Sequence, residues 1–204
     1  MSDAIDWVLF DVGGVLGTNA WDREQRAEAV ATFGLDGDDF QYRHEEMVGA
    51  FESGEVTLDE YLAITVFCVP RSFSPDDFKK FMFAQSVAWP DSIAVARELA
   101  ASRAVRLATL NNESEELNRF RIESWGLRDI FPTFFTSCWL GVRKPTRHVY
   151  ERVLGMTQSN PKRTVFIDDR LQNLAPAAAL GVRTVQFTKA ETLRADLMAL
   201  GLLV

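Results

Sequence analysis

Apolar positions along the 204-residue chain follow two different rhythms. From residue 89 onward, short apolar runs alternate with segments of helical period. "WPDSIAVARELAAS" reads as a helix with Pro90 in its first turn, and "VRLATL" (105–110) as a buried strand. "SEELNRFRIESWG" opens on Ser114 as an N-cap and stops at Gly126, and "TFFTS" (133–137) is a strand. "KPTRHVYERVLG" predicts a helix from Pro145 to Gly155, with Val149, Tyr150, Val153 and Leu154 as its apolar stripe. "TVFID" (164–168) and "RTVQF" (183–187) are strands, each followed by a helical segment. Such alternation predicts an α/β fold, a Rossmann-like parallel sheet with helices on both faces.

Residues 19–87 carry a different pattern, helix after helix with no convincing strand. "REQRAEAVATFG" ends at Gly34. Phe40, His44, Met47 and Phe51 share one face of a second helix that stops near Gly54. Thr57 and Glu60 have capping-box spacing for a third, and Ser74–Pro75 open a fourth with Phe78, Phe81 and Met82 inward. The organisation predicted is a core of residues 1–18 and 88–204 interrupted by an all-helical insert, 19–87.

Composition narrows the class. Hydrophobic residues are 47% and charged residues 25%, values ordinary for a water-soluble globular chain. The net charge of −7 lacks the basic stripe that nucleic acid requires, so no nucleic-acid partner is expected. No apolar run is long enough to span a membrane, and the N-terminus lacks a basic start, so the cytoplasm is the expected location. Cys68 and Cys138 lie in apolar company and read as buried free thiols.

The chemistry gathers at strand ends. In open α/β sheets ligands bind beyond the carboxyl ends of the strands. The first strand, in "VLFDVGGVL", ends at Asp11 and is followed by Gly13 and Gly14. "VRLATL" leads to Asn111 and Asn112, and "TVFID" to Asp168 and Asp169. Lys144 stands immediately before Pro145. Three carboxylates and a lysine on one edge would make a site for a hard cation such as Mg2+, with a positive charge beside it.

"FDVGGVL", "LATLNNE", "GVRKPTRHVY" and "VFIDDRLQN", in that order, resemble the four motifs of the haloacid dehalogenase-like hydrolases. The helical insert is similar to the cap of many members, and the "FDxGGV" variant resembles the N-terminal phosphatase domain of epoxide hydrolases and sugar-phosphate phosphatases. The resemblance implies an Mg2+-dependent phosphatase of a small phosphorylated metabolite, such as a sugar phosphate. Asp11 would be the nucleophile that becomes an aspartyl-phosphate. Asn111, in the usual Ser/Thr position, would donate to the phosphoryl group with Asn112 beside it, and Lys144 would neutralise charge. Asp11, Asp168, Asp169 and the main-chain carbonyl of Gly13 would hold the metal. Gly13 also stands where the family usually keeps an aspartate, the acid for the leaving group. Its absence points to leaving groups that depart without a proton, such as an anomeric hydroxyl, since acid–base help is typically worth about 10²–10⁴-fold.

Two other readings stand beside this one. A metal-free dehalogenase would also need no acid, though it gives no reason to concentrate carboxylates. A binding protein of this fold would keep the metal site and lose turnover. His44, within an apolar stripe, reads as a core histidine rather than a substitute acid, and Arg143 and Arg147 read equally as anion-steering or solvated charges. Neither the natural substrate nor the oligomeric state, a homodimer among the options, is legible.

Overall fold

The computed structural model describes residues 4–204, so the first three residues of the predicted core segment lie outside it. Among the described residues five parallel strands form one sheet: β1 (Trp7–Phe10), β2 (Arg106–Asn111), β3 (Thr133–Thr136), β4 (Thr164–Asp168) and β5 (Arg183–Gln186), in the order β3-β2-β1-β4-β5. The strands read as apolar runs because helices cover both faces. On one face α5 (Pro90–Ser102) and α10 (Ala190–Ala199) pack Ile93, Ala96, Leu99, Leu193 and Leu197 against Val8, Phe10 and Ile167. On the other, α8 (Arg147–Thr157) and α9 (Leu171–Ala179) pack Val149, Val153 and Leu174 against Leu9, Ala108 and Phe166. The predicted fold class is therefore the observed one. It puts β1 at the centre, with β4 in register beside it (Phe10 opposite Ile167), so the carboxyl ends of these two strands lie side by side.

Residues between the first two strands form α1 (Arg23–Phe33), α2 (Gly37–Glu52), α3 (Leu58–Thr65) and α4 (Pro75–Ala84). They bury Trp21, Phe40, Phe51, Tyr61, Leu62, Phe78 and Met82 in an aromatic cluster of their own. The Thr57–Glu60 capping box is present, with the Thr57 N–H donating to Glu60 Oε2 (2.8 Å) and the Glu60 N–H to Thr57 Oγ1 (3.2 Å). Two chain crossings join this layer to the sheet and are bonded to each other. Thr18 N–H donates to the Val87 carbonyl and Trp89 N–H to the Leu16 carbonyl, both at 2.9 Å. Between the crossings Gly17 admits no side chain: a Cβ there would lie 2.4 Å from the Trp125 ring and 2.5 Å from the Val87 carbonyl oxygen.

The helical layer also rests on α6 (Glu115–Ser124), which follows β2. Leu117 joins the aromatic cluster, Glu116 accepts from the Leu58 N–H (2.8 Å), and the Phe83 and Phe120 rings are 5.0 Å apart.

Boundaries depart from expectation where local bonding overrides punctuation. The third strand stops at Thr136 because Ser137 begins a short helix, α7 (Ser137–Leu140). Pro145 does not open α8: it follows a cis peptide after Lys144, Thr146 is the N-cap, and the helix starts at Arg147. That helix also runs past Gly155 to Thr157, ending on Gln158 in the left-handed conformation. The second strand carries Asn111 within it rather than beyond it. Cys68 is exposed and Cys138 half-buried, because Cys68 falls in the turn after α3 rather than on its inward face; both are free thiols.

Candidate active site

Asp11 is the first residue past β1, and its N–H still donates across the sheet to the Ile167 carbonyl (2.9 Å). Its carboxylate is held at both oxygens. Oδ1 accepts from the Val12 N–H (2.8 Å), and Oδ2 lies 2.8 Å from Lys144 Nζ. Lys144 reaches Asp168 as well, with Nζ donating to Oδ2 at 2.7 Å. Asp168 is fully buried and further accepts from the Arg170 N–H (2.8 Å) and from Asn173 Nδ2 at both oxygens (3.0 Å each). Lys144 is itself set by Asn112, whose Oδ1 accepts from the Lys144 N–H and whose Nδ2 donates to the Lys144 carbonyl, each at 2.8 Å. One lysine therefore bridges two buried carboxylates, and an asparagine clasps its backbone.

The charges act on one another. Burial pushes the Asp11 carboxyl up to about 8, with the Asp168 charge adding to the shift and Lys144 opposing it. Burial works against the Lys144 ammonium, but Asp11 and Asp168 more than offset it and raise its pKa. Burial and the Asp168 charge also raise Asp169.

Carboxylate oxygens of Asp11, Asp168 and Asp169 all lie within 4.8 Å of one another. Asp169 Oδ1 is buried with no hydrogen-bond partner, a costly state for a carboxylate oxygen unless a cation occupies the space. Oxygen-only donors with one oxygen unspent fit a hard cation such as Mg2+. The turn after β1 makes room for this grouping at Gly14, which has φ of +76°, and whose Cβ would stand 2.5 Å from Asp169 Oδ2.

Above the carboxylates lies a cavity of about 320 Å3. Asp11, Gly13, Asn112 and Lys144 line its floor, and His44, Phe51 and Glu52 come from α2. Arg26, Arg121, Arg143 and Arg170 stand in its wall, the last three paired with Glu113, Glu52 and Asp22 of the same wall. Of the predicted residues Asn111, Asp168 and Asp169 do not line the cavity, and Asn111 is engaged elsewhere. Its Nδ2 donates to Asn118 Oδ1 (3.2 Å), and its Oδ1 accepts from Thr136 Oγ1 (3.1 Å). An amide at this point of β2 braces α6 and β3 where a shorter hydroxyl would reach less far. His44 Nδ1 is 2.8 Å from the Tyr61 hydroxyl, and burial, with Arg26 nearby, pushes its pKa down to about 4. It is a neutral, satisfied histidine although it faces the cavity. Arg143 pairs with Glu52 at 2.8 Å, whereas Arg147 pairs with Glu151 away from the site.

Sequence reasoning missed Asn173, Glu113 and Arg121. "VFIDDRLQN" held a signal for Asn173, since a residue in the first turn after a strand-end aspartate can reach back to it. Glu113, just before α6, and Arg121, on it, had none, because a charged residue there reads as solvated until the helical layer covers it.

Folding raises the pKa of Asp11 from an unfolded value of 3.8 to about 8, so its protonated form stabilises the metal-free protein. That contribution is complete below about pH 4 and is lost as pH rises through 8. A cation held by Asp11, Asp168 and Asp169 would compete for the same carboxyl. Mg2+ affinity should therefore climb between about pH 6 and 8 and level off above, with proton release at neutral pH that vanishes near pH 9. Calorimetry in buffers of different ionisation enthalpy reads this directly. A pH-independent affinity with no proton release would mean that Asp11 is outside the metal site.

The family model for haloacid dehalogenase-like hydrolases matches residues 5–181. The chain belongs to that family. A sesquiterpene phosphatase of Aspergillus oryzae is 37% identical over 60 residues, covering 29% of this chain and 31% of its own. The bifunctional epoxide hydrolase 2 of Rattus norvegicus is 28% identical over 120 residues, 57% of this chain and 22% of that protein. The chain thus spans less than a third of either relative. Among solved structures, a family enzyme from Bacteroides thetaiotaomicron superposes with a TM-score of 0.80 at 20% identity, over 96% of this chain and 98% of its own. The same enzyme in complex with magnesium and inorganic phosphate gives 0.75 at 21% identity, over 91% and 95%. At such identity these structures establish the shared fold.

Proposed function

We propose that the protein is an Mg2+-dependent phosphatase of a small phosphorylated metabolite, with residues 19–87 acting as a cap over a core of 1–18 and 88–204. The observation that carries this reading is a buried Asp11 on the floor of the cavity, joined by one bridging lysine to Asp168 and grouped with Asp168 and Asp169 within 4.8 Å. Asp11, oriented by the Val12 N–H, attacks phosphorus, and the ester oxygen leaves from the opposite side. Lys144 balances the charge of the nucleophile and of the phosphoryl oxygens that approach it. Asp168 and Asp169, with Asp11 and the Gly13 carbonyl, would hold Mg2+. The metal would supply charge neutralisation for the phosphoryl group. Water then hydrolyses the aspartyl-phosphate and restores Asp11.

The cap helices enclose the substrate through contacts already present, among them Arg143–Glu52 and the Ser137 hydroxyl donating to the Glu52 carbonyl (2.6 Å). A cavity of about 320 Å3 suits a compact substrate such as a sugar phosphate. The unspent Asp169 oxygen argues against the metal-free dehalogenase.

The test is phosphate release across a panel of phosphate esters, with and without Mg2+. Release that requires Mg2+ supports the proposal. Halide release from 2-haloacids without metal would replace it with the dehalogenase, and silence throughout with the binding protein.

A further inference from the structure

Gly13 leaves the site without a carboxyl group, but the space beyond it is not open. A Cβ on residue 13 would lie 2.9 Å from Asn19 Oδ1 and 3.3 Å from Arg121 Nη1. Arg121 comes from α6, only 1% exposed, and lines the same cavity as Asp11. Its surroundings hold it firmly. The guanidinium lies 5.4 Å over the Trp125 ring, Nε donates to the Ser86 hydroxyl (3.3 Å), and Nη2 stands 3.1 Å from Glu113 Oε2. That last pair is an ion contact out of line for a hydrogen bond: Glu113 balances the charge while Nη2 has no hydrogen-bond partner, and Nη1 is the nitrogen that stands beside residue 13. A buried guanidinium with a hydrogen bond unmade keeps donor capacity for an acceptor that arrives with a ligand.

On the phosphatase reading above, we propose that Arg121 is the leaving-group residue of this enzyme: its guanidinium, standing where a side chain of residue 13 would project, binds the ester oxygen and stabilises it as it departs. A guanidinium offers fixed charge and directed N–H donors rather than a transferable proton. As the bond from Asp11 to phosphorus forms, the phosphorus–oxygen bond of the ester breaks. The electron pair stays on the leaving oxygen, which departs as an oxyanion paired with Arg121 and takes its proton from water after release. Charge stabilisation thus replaces acid catalysis, and it favours leaving groups of low pKa without requiring a proton donor. Glu113 balances the cation between turnovers. Its Oε1 already accepts from the Ser114 N–H (3.0 Å), and burial pushes its pKa up to about 7, so it holds its charge weakly when Arg121 turns to an oxyanion.

The experiment compares kcat/KM across phosphate esters from p-nitrophenyl through sugar to alkyl leaving groups, in the wild type and in four variants: Arg121→Met, Arg121→Lys, Glu113→Gln and a double variant. Arg121→Met should lose under about tenfold on p-nitrophenyl phosphate and about 10²–10³-fold on alkyl esters, so that the dependence on leaving-group pKa steepens. Arg121→Lys should recover part of the alkyl rate. Because Arg121→Met strands Glu113 in the interior, the double variant Arg121→Met/Glu113→Gln removes both charges and should show the same steepened dependence. Equal losses on every ester would overturn the proposal, as would a return of the wild-type slope in the double variant. A steepened slope in Glu113→Gln, with Arg121 variants unchanged, would assign the role to Glu113 instead. A wild type that releases no phosphate from any ester would remove the phosphatase reading and this proposal together.

Discussion

Asp11→Asn is expected to lower phosphate release by about 10⁴–10⁶-fold, the range found when a nucleophile that acts in concert with its neighbours is removed. The amide keeps the shape of the carboxylate and can still accept from the Val12 N–H, so substrate binding should survive. Stability separates this variant from a misfolded one. In the wild type, burial and Asp168 disfavour the charged Asp11, so the metal-free protein should lose stability as pH rises from about 5 to 9. Asn has no proton to lose, and the variant's melting temperature should vary less over that range and lie at or above the wild type at pH 9. Beryllium fluoride should raise the melting temperature of wild-type protein in Mg2+ and leave the variant unmoved. Undiminished release by Asp11→Asn would end the covalent mechanism.

The fold was legible because each buried strand is a plain apolar run and each helix carries its own stripe. The helical layer declared itself through Phe40, His44 and Phe51 at helical spacing. Strand ends were legible for a topological reason: in a parallel sheet the residue after the last apolar position must emerge at one edge, so Asp11 and Asp168 had to be neighbours once β1 and β4 were adjacent. What pattern could not carry was the wall of the cavity. Arg121 on α6 and Arg26 on α1 are charged residues on helices that look solvated one at a time, and only docking of the helical layer buries them. Asn111 shows the opposite case. Its position at the end of β2 was legible, but position does not say which way an amide bonds, and its side chain is engaged with Asn118 and Thr136. Pro145 misled for a local reason. A proline before an apolar stripe usually opens the helix, whereas here Thr146 is the N-cap and the helix starts at Arg147.

Lys144→Met should have the largest effect on the fold as well as removing turnover. The side chain is buried, and it is the cation within 2.8 Å of both Asp11 and Asp168. Taking one partner from a buried ionic cluster costs about 3–5 kcal/mol, because the remaining charge is left uncompensated. Two features of this site shape the outcome. Asp11 can discharge itself by keeping its proton, so the loss should be smaller at pH 6 than at pH 9, where its carboxylate faces Asp168 without a cation. Asn112 grips the backbone of residue 144 rather than its side chain, so the loop should hold its course and the variant should fold. Mg2+ should then restore part of the stability, since a divalent cation among Asp11, Asp168 and Asp169 supplies the missing charge and binds the native state alone. Denaturant titrations at the two pH values, each with and without Mg2+, read all three effects. A loss that ignores both pH and Mg2+ would make Lys144 a packing residue, and would move the source of charge balance to the arginines of the cavity wall.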